Sequence, residues 1–105
     1  DKFALETDPF MAASGADILI TDTWTSMGEE AEKEERKKIF NDYQINRQLL
    51  AAANACAMVQ HCLPAYRGQE ITEEVFEEHA DEIFNEAENR LHAQKAVMVK
   101  LMKKD

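Results

Sequence analysis

The run Asp17-Ile18-Leu19-Ile20-Thr21-Asp22 constrains the fold more than any other stretch of the chain. Three large aliphatic residues in succession match a strand covered on both faces, the pattern of parallel sheets. The flanks agree with this. Thr7-Asp8-Pro9 supplies a cap and a first-turn proline for a short helix from Pro9 to about Ser14, and Gly15 ends it. A second run, Ala57 to Leu63, reads as another strand, broken by Pro64. Helical sequence lies between the two. Glu29 to Tyr43 carries acid-first pairs four residues apart, Glu29 with Lys33, Glu32 with Arg36 and Glu34 with Lys38, so most of that helix is wet. A shorter helix follows from about Asn46 to Ala53.

Downstream, Thr72 is placed to cap a brief helix. Glu82-Ile83-Phe84-Asn85 reads as a short third strand, and Glu86 to Met102 as a long terminal helix whose Leu91, Val97, Met98, Leu101 and Met102 form an apolar stripe. Near the start, Phe3 to Glu6 is strand-like. Alternating strands and helices predict the α/β class: a three-layer αβα arrangement with a mainly parallel sheet, a partial Rossmann-like domain. Ligands in such sheets gather at the carboxyl ends of strands. That rule selects Asp22 to Gly28, Cys62 to Gly68 and Asn85 to Arg90.

Charge narrows the partners. With 12 Lys plus Arg against 21 Asp plus Glu, the net charge of -9 repels phosphodiester backbones and anionic lipid, which speaks against nucleic acid and membrane as partners. A hydrophobic share of 45% is enough for a packed core. The two cysteines, Cys56 and Cys62, have neither the spacing nor the histidine neighbours of a zinc site, so no metal is expected. No apolar run has the length of a membrane span and no leader-like segment opens the chain, which predicts a cytoplasmic setting. A chain that opens at Asp1 directly into strand-like sequence is expected to be part of a larger protein.

Each strand end has a chemical reading beside a plain one. Asp22, followed by Thr23, Thr25, Ser26 and Gly28, suits recognition of an ammonium group, and equally an Asx turn. Cys62, after His61 and before Leu63-Pro64, fits a nucleophile, a proton acceptor or a ligand contact, its thiolate favoured by any nearby cation; it also fits a small buried apolar residue. The Leu63-Pro64 bond is open to either isomer. Arg90, placed at the start of a helix, offers a donor fork to a carbonyl or phosphate oxygen, or an ion pair with Glu86. His61, His79 and His92 have no evident catalytic partner in the sequence.

In combination these segments carry a more specific signal. Asp22-Thr23-Trp24-Thr25-Ser26-Met27-Gly28, Tyr43-Gln44-Ile45-Asn46, His61-Cys62-Leu63-Pro64 and Glu86-Ala87-Glu88-Asn89-Arg90-Leu91-His92-Ala93-Gln94-Lys95-Ala96, in this order, resemble the C-terminal half of the ornithine carbamoyltransferases. The resemblance runs from Asp8 to Met102, and the Ser-Met-Gly loop is its most discriminating part.

The resemblance implies that residues 1–105 are the C-terminal part of an ornithine-binding domain, with the carbamoyl-phosphate domain absent. It implies an enzyme of arginine metabolism and amino-acid biosynthesis that transfers a carbamoyl group from carbamoyl phosphate to the δ-amine of L-ornithine, giving citrulline and phosphate. No cofactor is implied, and the complete enzyme is expected to be a trimer-based homo-oligomer. Asp22, Ser26 and Met27 would bind ornithine, the last two on a mobile loop. Cys62, Leu63 and Arg90 would contact carbamoyl phosphate: Cys62 as proton acceptor, Leu63 through its carbonyl before a cis bond to Pro64, and Arg90 as donor to the carbamoyl oxygen. The family's Ser-Thr-Arg-Thr-Arg phosphate loop, its His-Pro-x-Gln segment and an ornithine-holding asparagine do not occur, so the chain alone is expected to be inactive. The rival readings are a carbamoyltransferase for another amine such as putrescine, and a non-catalytic interaction module built on the acidic surface.

Overall fold

The computed structural model describes residues 2–25 and 32–103. Its α/β core is a parallel pair of strands, β1 (Ile18–Thr21) and β2 (Met58–His61), with helices α1 (Pro9–Ala13), α2 (Lys33–Phe40), α3 (Arg47–Ala52), α4 (Glu73–Glu78) and α5 (Ala80–Met102), and a 3-10 turn at Asn41–Tyr43. The register sets Ile18 opposite Met58 and Thr21 opposite His61. Both strands therefore end level with one another, at Asp22 and Cys62.

Caps fix the short helices that would not persist unaided. Asp8 Oδ1 accepts from the amides of Phe10 and Met11 at 2.9 and 3.2 Å. Asn46 Oδ1 accepts from Leu49 N–H at 2.9 Å, and the Thr72 hydroxyl from Val75 N–H at 3.4 Å. Each cap leaves an apolar residue facing inward. Leu19, Ile45, Leu49, Val59, Ile71, Val75, Phe76 and Ile83 form the core with Ala13. Cover is one-sided among the described residues: Leu19 and Val59 are buried, while Ile18, Ile20 and Met58 stay open to solvent. The expectation of two covered faces for β1 is not met by the chain's own helices.

Three local expectations are corrected. Phe3 to Glu6 is exposed and forms no strand, because no neighbouring strand supplies partners for its amides. The start of the helix expected from Glu29, and with it the Glu29–Lys33 pair, lies outside the described residues, and from Lys33 the segment is helical. Glu32 pairs with Arg36 as anticipated, whereas Glu34 pairs with Lys37 rather than Lys38.

The third correction bears on the site. Glu82-Ile83-Phe84-Asn85 is not a strand but part of α5, which begins at Ala80. Ile83 is fully buried and Glu86 and Ala87 half-buried, a spacing of three and four that only a helix produces. At the edge of β2, where a third strand would have paired, the Glu82 carboxylate accepts from Val59 N–H at 2.9 Å. Beyond Ala87, α5 has no covered face: Leu91, Val97, Met98, Leu101 and Met102 are all more than half exposed. The projecting helix explains a radius of gyration of 16.2 Å, against about 13 Å for a compact chain of this length.

Candidate functional site

Because the strands end level, Asp22 and Cys62 leave the sheet side by side. An Asp22 carboxylate oxygen, a His61 ring nitrogen and the Cys62 sulfur all lie within 4.8 Å of one another. Asp22 is exposed and accepts from Thr23 N–H at 2.7 Å, a contact with the very next residue rather than the bond two residues on that makes an Asx turn. Burial pushes the Cys62 thiol up, as do its hydrogen bond to Asp22 and the negative charges of Asp22 and Glu86. The expected cation favouring a thiolate is thus replaced by two carboxylates. Cys62 carries its proton and donates it toward Asp22.

The same three residue types resemble a metal-ligand set, but His61 is not available for one. Its Nδ1 accepts from Leu63 N–H at 2.9 Å and its Nε2 faces Glu70 Oε1, also at 2.9 Å. With both ring nitrogens engaged, the trio lacks the three protein ligands that a catalytic zinc takes.

Arg90 is placed differently from expectation. It lies ten residues into α5 rather than at a helix start, so no free helix N-terminal amides accompany it. It shares a helix face with Ile83 and Glu86, being one turn beyond Glu86. The expected Arg90–Glu86 ion pair does not form: Arg90 is exposed and makes no hydrogen bond or ion pair among the described residues. The Glu86 Oε2 atom is buried and likewise unpartnered among them. The helix that brings Glu86 close enough to act on Cys62 therefore points Arg90 along the same side.

Leu63 sits half-buried against the core, at φ 59°, and its bond to Pro64 is cis. Ser26 and Met27 lie outside the described residues. Before them, Trp24 stacks on Phe40 at 6.3 Å and accepts from Arg36 Nη1 at 3.4 Å through its carbonyl. After them, the Lys33 ammonium sits 5.5 Å above the Tyr66 ring. The first flank thus packs on α2, and the second borders the turn that follows Cys62. A cleft of about 390 Å³ opens beside Asp22, Trp24 and Tyr43. Residues 18–22 line it consecutively, which identifies it as the open edge of β1 rather than a cup for a small molecule.

Two functional candidates escaped sequence reasoning. Glu70 is fully buried against His61, and Glu86 reaches Cys62 from a helix more than twenty residues away in sequence. A lone Glu ahead of Ile71 and the Thr72 cap has no periodicity to mark it, and Glu86 is one of many acids in an acidic chain.

A parallel α/β unit thus unites a carboxylate and a thiol at its strand ends, beside a helix that bears an arginine, an arrangement suited to binding a substrate there. The match to known families agrees: residues 1–101 fit the family described as aspartate/ornithine carbamoyltransferase, Asp/Orn binding domain, and the chain belongs to that family. Among its relatives, an ornithine carbamoyltransferase of Gloeobacter violaceus is 62% identical over 95 residues, covering 90% of this chain and 30% of the relative. One of Methanospirillum hungatei is 52% identical, covering 96% of this chain and 33% of the relative. The crystal structure of the anabolic ornithine carbamoyltransferase of Campylobacter jejuni superposes with a TM-score of 0.85 at 52% identity, over 90% of this chain and 31% of that one. The chain spans about a third of the length of these relatives. No helix among the described residues is long and apolar enough to cross a membrane.

Proposed function

We propose that this chain is the ornithine-binding portion of an enzyme that carbamoylates the δ-amine of L-ornithine, with carbamoyl phosphate as donor and citrulline and phosphate as products. The observation that carries this reading is the meeting of Asp22 and Cys62 at two adjacent strand ends. Relatives named ornithine carbamoyltransferase at 52–62% identity support the choice of amine. Putrescine, which is ornithine without its carboxylate, is the rival acceptor; it keeps a second ammonium for Asp22, so the two amines are separated by the carboxylate and not by the Asp22 contact.

In the reaction the δ-nitrogen attacks the carbamoyl carbon, the carbon–oxygen bond to phosphate breaks, and phosphate leaves with the electron pair. The attacking nitrogen must lose a proton. A protonated thiol accepts it only by giving up its own, and Asp22 lies on the side to which Cys62 already donates. A proton passing from nitrogen to sulfur, as the thiol proton passes to Asp22, leaves the pair with one proton more than before, which goes on to solvent or the departing phosphate before the next turnover. Arg90, unpaired among the described residues, supplies donors for the carbamoyl oxygen as negative charge grows there, the role in which preorganised donors act most strongly. Leu63 presents its carbonyl to carbamoyl phosphate, and Ser26 and Met27 close over ornithine, excluding water and orienting the amine.

The remaining donor-binding groups belong to a carbamoyl-phosphate domain, and the full enzyme is a cytoplasmic homo-oligomer. The test is a steady-state assay of the full-length protein with ornithine and putrescine side by side. Citrulline formation with a higher kcat/KM for ornithine is the expected result. A preference for putrescine, or no carbamoyl transfer to either amine, overturns the reading.

A further inference from the structure

Two fully buried polar side chains, His61 and Glu70, stand behind the Cys62 turn and are used by no step above. Their hydrogen bonds form a single chain. Leu63 N–H donates to His61 Nδ1 at 2.9 Å, His61 Nε2 meets Glu70 Oε1 at 2.9 Å, and Tyr66 N–H donates to the same Oε1 at 2.7 Å. The first bond fixes the tautomer: an Nδ1 that accepts carries no proton, so the proton is on Nε2 and points at Glu70. Glu70 is itself anchored, since its carbonyl accepts from Ile45 N–H at 2.9 Å and the adjoining Ile71 belongs to the core.

We propose that His61 and Glu70 are positioning residues for carbamoyl transfer, a buried clamp that joins the amides on either side of Pro64 and so aims the Leu63 carbonyl and the Cys62 thiol. Energetics favour a purpose beyond stability. Glu70 Oε2 is buried with no partner among the described residues, and an unpaired buried polar atom is a net cost that an apolar core would avoid. What the pair secures in return is local geometry. Leu63, at φ 59°, lies in the left-handed region that non-glycine residues rarely occupy, and its amide is held by the His61 ring.

The inference rests on the transferase reading, and the experiment separates the two. In the full-length enzyme, His61→Asn keeps an acceptor where Nδ1 stands but loses the donor to Glu70. His61→Gln keeps that donor and loses the acceptor for Leu63. A misplacement near 1 Å costs about 100-fold in turnover, so His61→Gln is expected to lower kcat by about tenfold or more with ornithine KM within about threefold. His61→Asn should retain a clearly higher kcat than His61→Gln, and Glu70→Gln, which preserves the Oε1 acceptor, should exceed Glu70→Leu. Thermal melts of all four accompany the kinetics. Unchanged kcat in His61→Gln, or losses that follow Tm alone irrespective of which hydrogen bond is kept, overturn the clamp while leaving the transferase standing. A wild-type enzyme that forms no citrulline refutes the transferase reading, and the clamp's role in it falls with it.

Discussion

Replacing Glu82 by Ala tests how the edge of β2 is held. The Glu82 carboxylate is the acceptor for Val59 N–H at 2.9 Å, and Val59 is fully buried. An amide left unsatisfied there costs about 1–3 kcal/mol, and the 35% exposure of the Glu82 side chain lets water offset part of it, so the lower end of that range is expected. At 1.4 kcal/mol per factor of ten, the range corresponds to amide exchange at Val59 quickened roughly 5- to 150-fold in a regime of local opening, with the lower figure expected. Glu82→Gln retains an acceptor and should lose much less. The contact with His79 at 3.0 Å is partly exposed and screened, and adds little to either figure. The pH dependence has a definite sign. Burial pushes the Glu82 carboxyl up, but the His79 bond, the Val59 amide and the His79 charge outweigh it and hold the group below its ordinary value of 4.5. Stability from Glu82 is therefore complete above 4.5 and disappears as pH falls through the lower folded value. Urea unfolding of the full-length protein at neutral and acidic pH, with exchange read at Val59, provides the assay. Wild-type exchange at Val59 in Glu82→Ala would refute the edge-capping account, as would equal losses in the Ala and Gln variants.

Further outcomes concern the site and its frame. Asp22→Asn should raise the ornithine KM and lower the Cys62 thiol toward its ordinary range, though burial keeps part of the elevation; iodoacetamide alkylation against pH in a Cys56→Ser background reads the shift, and an unmoved profile contradicts the pairing. Arg90→Ala in the full-length enzyme should depress kcat far more than ornithine binding, so a normal turnover number removes Arg90 from the transition state. Asn46→Ala deletes the cap of α3 and should cost about 1 kcal/mol in chemical denaturation; a change below a few tenths would show that the cap is dispensable. The purified 105-residue chain should yield no citrulline, and any enzymatic yield above background would show that the site is complete without the carbamoyl-phosphate domain.

Much of this architecture is legible residue by residue. The aliphatic run at Ile18-Leu19-Ile20, the Asp8-Pro9 start and the Thr72 cap each act through local geometry and appear where their chemistry requires, and the helix read from about Asn46 starts there with Asn46 as its cap. Glu82-Ile83-Phe84-Asn85 misleads because two apolar residues between two polar ones fit a short strand and a helix equally well. Only tertiary context, the approach of α5 to β2, decides between them. The site divides in the same way. Asp22 and Cys62 are visible as residues that end strands, whereas Glu86, which adds to the upward push of burial and Asp22 on the Cys62 thiol, and Glu70, which faces His61 Nε2, are not. Neither partner lies within a recognisable local pattern, since the fold rather than the spacing brings them together.

The shape of α5 sets how tightly its residues can be placed. Val59 and the core grip the helix around Glu82 and Ile83. At 1.5 Å per residue, Arg90 lies only about 10 Å along the axis from that grip, and Met102 about 28 Å. A small tilt about this fulcrum sweeps the tip through nearly three times the arc felt by the guanidinium. Any tilt of the far half of α5 would therefore displace its tip, as on a lever arm, far more than Arg90 close to the pivot.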